Sequence, residues 1–101
     1  MLQVDKETVK NYLGIDITDD MIDANISRLI PVADAYLRGA IGENYPVDNP
    51  KAVELGLVII ADLYENRSMT SDKVSNQTRR IIEDFGLQLR LELARAEAVE
   101  T

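Results

Sequence analysis

Apolar residues recur along this chain at steps of three and four, the spacing of one face of an α-helix. Glycines, prolines and polar runs divide the pattern into four segments. The first covers about residues 5–13. Asp5 is placed as its N-cap, Val4 and Val9 as a hydrophobic staple around that cap, and Gly14 as the left-handed residue that ends it. Val9, Tyr12 and Leu13 supply its apolar face. The second spans about residues 19–41, with Thr18 as cap and Ile17 and Ile22 as staple; Asp19, Asp20 and Asp23 meet the positive end of its dipole. Its stripe includes Ile22, Ile26, Leu29, Ile30, Ala33, Leu37 and Ile41. Pro31 lies inside the stripe and predicts a kink or a split, because it removes a backbone donor and crowds the Ser27 carbonyl.

A turn-rich connection over residues 42–50 ends in Asn49-Pro50, a cap followed by the residue best suited to a first helical position. The third helix then covers about residues 50–66, and Val53, Leu55, Leu57, Val58, Ile59, Ile60, Ala61, Leu63 and Tyr64 leave little polar surface around its middle. Such a helix is either central in its own domain or also faces another subunit. After a polar loop at 67–73, the fourth segment occupies about residues 75–97. Phe85, Leu87, Leu89, Leu91 and Leu93 alternate with other residues, which is the periodicity of a strand. Against a strand, no β-branched residue occurs between Phe85 and Ala98, and Gln, Arg, Glu and Ala fill the intervening positions. Read as a helix, Leu87 and Leu91 fall on one face and Leu89 and Leu93 on another. One face then packs within the subunit while the other meets a neighbour. The pattern as a whole predicts an all-α fold, a small bundle of about four helices in one domain over residues 1–101, the second helix kinked at Pro31.

Composition narrows the chemistry. The 101 residues include no histidine, cysteine or tryptophan, which excludes a zinc finger, a disulfide frame, a thiol nucleophile and an imidazole base. With 18 acidic and 11 basic residues the formal charge is −7, which speaks against a nucleic-acid binder of the usual basic kind. The charge is uneven: −5 over residues 1–50 and −2 over 51–101, where Arg67, Arg79, Arg80, Arg90 and Arg95 lie. The start of the chain has neither the basic nor the apolar region of a signal peptide. The longest apolar run, Leu55 to Ala61, falls far short of the roughly 18 residues of a membrane span. A soluble protein made in the cytoplasm is the expectation.

Carboxylates are the only catalytic material in quantity. Asp16/Asp19, Asp20/Asp23 and Asp62/Glu65 are each three apart and can share a helix face. All-α nucleotide pyrophosphohydrolases hold magnesium through pairs of this kind, because a hard cation needs several oxygen ligands. The first two pairs, however, stand where a helix dipole favours acids anyway, and the third lies on the polar edge of the most apolar helix. No serine stands at S-x-x-K spacing from any of the four lysines, and the five glycines are isolated rather than clustered in a phosphate loop. A helix-turn-helix drawn over residues 50–97 would present Arg79 and Arg80, but between acidic flanks and across too long a connection. No catalytic residue, cofactor site or metal site is therefore assigned.

Two short motifs go further. Tyr64-Glu65-Asn66-Arg67 closes the apolar third helix, and Gln88-Leu89-Arg90 follows in the last one. In this order, in a helical chain of this size, they resemble the head–tail connector (adaptor) proteins of tailed bacteriophages, also called phage DNA-packaging proteins or the QLRG family. The acidic helix start at Thr18-Asp19-Asp20 and the long second helix fit the same outline, while Leu91 stands where the motif's name expects glycine. The resemblance implies a structural, non-enzymatic protein of the virion. It implies a homo-oligomeric ring beneath the portal protein, a docking surface for a tail-completion protein, and a channel that DNA crosses without specific binding. The acidic balance suits such a channel, since like charge disfavours phosphate contact. Tyr64, Glu65, Asn66, Arg67, Gln88, Leu89 and Arg90 are then candidate assembly contacts, with Leu87, Leu91 and Leu93 as candidate oligomer-facing apolar residues. Tyr64 through Arg67 read first as a helix terminus, with Arg67 suited to the negative dipole end, and second as a subunit contact. Two other readings stand beside this one: the metal-dependent hydrolase, and a small phage-encoded regulator that binds a partner protein and forms a dimer.

Overall fold

The computed structural model describes residues 1–65 and 74–100, the last four as backbone. Four helices follow in order: α1 (Lys6–Leu13), α2 (Asp20–Ala40), α3 (Pro50–Glu65) and α4 (Asn76–Glu100). No strand occurs among the described residues, and the fold is a small all-α bundle. Among the same residues no helix is long and apolar enough to cross a membrane.

Local signals set most of the helix ends. The Asp5 carboxylate accepts from the Thr8 amide at 2.8 Å, and Val9 behind it is fully buried. Gly14, at φ 75°, closes α1: its amide reaches the Asn11 carbonyl at 3.2 Å, and the Ile15 amide reaches that of Lys10 at 2.9 Å, the paired closure of a Schellman motif. Asn49 caps α3 by accepting from Lys51 at 2.9 Å and Ala52 at 3.3 Å, with Pro50 as first helical residue.

Two expectations for α2 change. Its cap is Asp19, not Thr18: one carboxylate oxygen accepts from the Met21 and Ile22 amides at 2.9 and 3.1 Å. A charged acceptor answers the dipole better than a hydroxyl, and the shift of one residue leaves Ile17 outside the staple position and exposed. The split considered at Pro31 does not occur, since α2 runs through it as one helix. Pro31 and Ser27 both lie on the exposed side, where water can replace the donor that Pro31 takes from the Ser27 carbonyl.

The core forms around α3. It buries Ala52, Leu55, Leu57, Ile59, Ile60 and Leu63 against α1, α2 and α4, so its nearly continuous apolar surface is mostly consumed within the chain. Burial of each large aliphatic side chain contributes about 1.5–3 kcal/mol. From α2 come Ile26, Leu29, Ala33 and Leu37, and from α4 Ile82 and Leu89. Asp23 and Asp34 on α2 meet α1 and the N-terminal segment, whereas Ala40 on another face meets α4. The α2–α3 pair thus forms a middle layer, and α1 does not touch α4 among the described residues.

α1 is tied to this layer by charge. Lys10, itself buried, lies 3.2 Å from Asp23, and Lys6 lies 3.3 Å from the same carboxylate. The Lys10 ammonium, with Lys6 behind it, holds Asp23 below the usual carboxylate range against the opposing effect of desolvation. The Thr8 amide does the same for Asp5. A depressed folded pKa means that the unfolded chain binds more protons on acidification. This stabilisation is therefore complete above the unfolded value of about 3.9 and is lost as pH falls through the folded values. Thermal unfolding followed by circular dichroism is expected to show a melting temperature that falls below about pH 4, with a shallower acid limb in Asp23→Asn. Identical acid limbs in the two proteins would disprove the assignment.

Candidate assembly surface

α4 is 25 residues long, about 37 Å at helical rise, in a molecule measuring 49 × 26 × 19 Å. Its start is fixed by a relay from α3. Asp62 accepts from the Ser75 amide at 2.8 Å and from the Ser75 hydroxyl at 2.9 Å, and Ser75 Oγ accepts in turn from the Thr78 amide at 3.3 Å. The Tyr36 hydroxyl accepts from the Val74 amide at 3.3 Å, so α2 holds the same point. Farther along, Gly86 is buried where α4 crosses α2, and a Cβ there would stand 2.9 Å from that of Ala40. Lys51 on α3 grips both oxygens of Glu92 at 2.7 and 2.8 Å, an exposed pair that contributes less than about 1 kcal/mol.

This placement resolves the alternating leucines as a helix with two faces. Leu89 is 2% exposed and points into the core, and Leu93 is partly buried against it. Leu87 and Leu91 are 51% and 54% exposed, one helical turn apart on the outward side. Leu93 therefore belongs to the subunit's own packing and differs from Leu87 and Leu91, with which the sequence grouped it. The Gln88-Leu89-Arg90 motif is divided in the same way: Leu89 anchors the helix, while Gln88 and Arg90 are exposed on either side of the leucine stripe. In the other motif, Tyr64 is half-buried against the core and Glu65 is exposed at the end of α3. Asn66 and Arg67 lie outside the described residues. The structure thus gathers Leu87, Gln88, Arg90 and Leu91 on one surface.

One member of each carboxylate pair has a structural task. Asp19 caps α2, Asp23 pairs with Lys6 and Lys10, and Asp62 holds the start of α4. Among the described residues no group of three His, Cys, Asp or Glu side chains could hold a metal ion.

Sequence reasoning missed one polar centre. Asp34, 5% exposed, accepts from the Leu2 amide at 2.9 Å and from the Tyr45 hydroxyl, and its other oxygen lies 3.0 Å from Arg38 Nε. It joins the N-terminal segment, the α2–α3 connection and α2 itself. The available signal was a carboxylate set directly after Ala33, within the stripe formed by Ile30, Ala33 and Leu37.

Compared with family models, curated proteins and solved structures, the chain matches none.

Proposed function

We propose that this chain is a structural protein of the phage head–tail joint. It assembles into a ring that docks to the portal, extends the DNA channel and completes the head after packaging. It is not an enzyme in this reading, and its place is the virion. The observation that carries the proposal, beside the two sequence motifs, is the outward stripe of Leu87 and Leu91 on the helix that bears Gln88-Leu89-Arg90. Most large aliphatic residues of this small domain fill its own core, and Leu87 and Leu91 are left uncovered on a helix anchored at its start by Asp62 and at its crossing with α2. That is the character of an assembly surface.

The test is direct. Leu87→Glu together with Leu91→Glu is expected to abolish the oligomer seen by native mass spectrometry or light scattering, and binding to a phage portal protein with it. The cost to folding stability stays within about 0.5 kcal/mol for each substitution, because each side chain is already about half in water. A wild-type chain that stays strictly monomeric at high concentration and ignores the portal would overturn the reading.

A further inference from the structure

A ring needs a second face on each copy, and the molecule carries another exposed apolar cluster. Tyr12, Ile17 and Met21 stand within one short stretch where α1 turns into α2, and Met21 is 78% exposed, the most open large apolar residue in the described chain. The exposed carboxylates of Asp16 and Asp20 lie among them. Lys6 and Lys10, the cations of α1, are drawn to Asp23, so Asp16 and Asp20 set the charge of the corner.

The α4 stripe has the opposite character. Arg79/Glu83 and Arg80/Asp84 are spaced four apart on the helix and offset one another. Glu92 is held by Lys51, which leaves Arg90 and Arg95 as the charges next to Leu87 and Leu91, with Glu97 and Glu100 farther along the sequence. The two surfaces also lie apart, because α1 and α4 are separated by the α2–α3 layer.

We propose that the acidic corner of one copy docks on the α4 stripe of the next: Tyr12, Ile17 and Met21 cover Leu87 and Leu91, and Asp16 and Asp20 face Arg90 and Arg95. This rests on the ring reading above and identifies the two halves of its interface. Like faces are disfavoured, since an α4–α4 contact would bring Arg90 and Arg95 of two copies together. An interface between two different faces is heterologous, and repetition generates a ring or a filament rather than a dimer. Charge complementarity selects the pairing, while the apolar residues supply the burial.

The absence of cysteine makes the pairing readable. In Met21→Cys/Leu91→Cys, a short bis-maleimide is expected to produce a ladder of covalent dimers, trimers and higher species, and each single variant is expected to yield no covalent species beyond the monomer. Arg90→Glu/Arg95→Glu and Asp16→Lys/Asp20→Lys are each expected to weaken assembly at least about tenfold, and combining all four in one chain to restore it. Covalent dimers from a single variant would overturn the pairing. A full-size ring without a ladder, or one indifferent to both charge reversals, would overturn it and leave the ring reading standing. A monomeric wild-type chain with no ladder would overturn both.

Discussion

Asp34→Ala is expected to destabilise the protein by about 3 kcal/mol, read as a lower urea midpoint at unchanged slope. The substitution removes the shared acceptor of the Leu2 amide and the Tyr45 hydroxyl, and both donors stay buried without a partner. A stranded buried donor costs about 1–3 kcal/mol, more than the hydrogen bond itself contributes. Arg38, the third partner, is half exposed and can turn to water, so its part of the loss is small. Asp34→Asn keeps an acceptor oxygen, and the expected loss is about half. Two consequences beyond the midpoint identify the centre. The Leu2 side chain lies directly over Gly56 on α3, so amide exchange should rise in residues 2–4 and in the α2–α3 connection together. The Tyr45 hydroxyl is pushed above its ordinary pKa by burial and then by the Asp34 hydrogen bond, so it keeps its proton in the folded state longer than in the unfolded one. Its stabilisation is therefore complete below the unfolded value of about 10 and is lost as pH rises beyond it, an alkaline limb that Asp34→Ala should flatten. A loss below about 1 kcal/mol with the alkaline limb intact would show that another group satisfies these donors.

The contrast between what the sequence made legible and what it hid follows the range of each interaction. Asp5, Gly14 and Asn49-Pro50 act within four residues of themselves, and the ends they set could be read directly. The start of α2 could be read to within one residue, because Thr18 and Asp19 are both competent caps and only the folded geometry decides between them. Alternation from Phe85 to Leu93 suggested a strand, and helix-forming residues between the leucines decided against it; the same spacing on a helix then separated Leu87 and Leu91 from Leu89. Leu93 was grouped with the outward pair although helical spacing already sets it on the face of Leu89, and it packs with that face in the structure. Asp34 and Asp62 were hidden by distance. The buried donors that Asp34 serves, on Tyr45 and Leu2, are 11 and 32 residues away and the Ser75 donors of Asp62 are 13 away, and a carboxylate that serves a distant donor looks in sequence like a gap in a stripe or a solvated edge. The proposed function rests on resemblance alone at the level of sequence, through two motifs of which one is split between core and surface.

The crossing of α4 over α2 gives the second large effect. Gly86→Val is expected to cost about 2–3 kcal/mol although valine is the better helix former. Any Cβ at this position meets Ala40 Cβ at 2.9 Å and the Ala40 carbonyl oxygen at 3.5 Å. The obstruction is a methyl fixed to a helix backbone, so it cannot rotate aside, and the helices themselves must separate. Gly86→Ala brings the same first contact without the γ-carbons, and its gain of about 1 kcal/mol in helix propensity offsets part of the strain. Valine adds two carbons to a space already filled. The displaced helix carries Leu87 and Leu91 with it, so the proposed assembly should weaken together with folding, whereas substitution of Leu87 and Leu91 themselves leaves folding nearly intact. A double-mutant cycle distinguishes close approach from a general intolerance of side chains in α4. Ala40→Gly removes the opposing methyl, and the pair Gly86→Ala/Ala40→Gly should recover about 1 kcal/mol or more relative to the sum of the single effects. Additive effects, or a Gly86→Ala protein more stable than the parent, would mean that α4 has room at this crossing and that its position, and with it the aim of the leucine stripe, is set elsewhere.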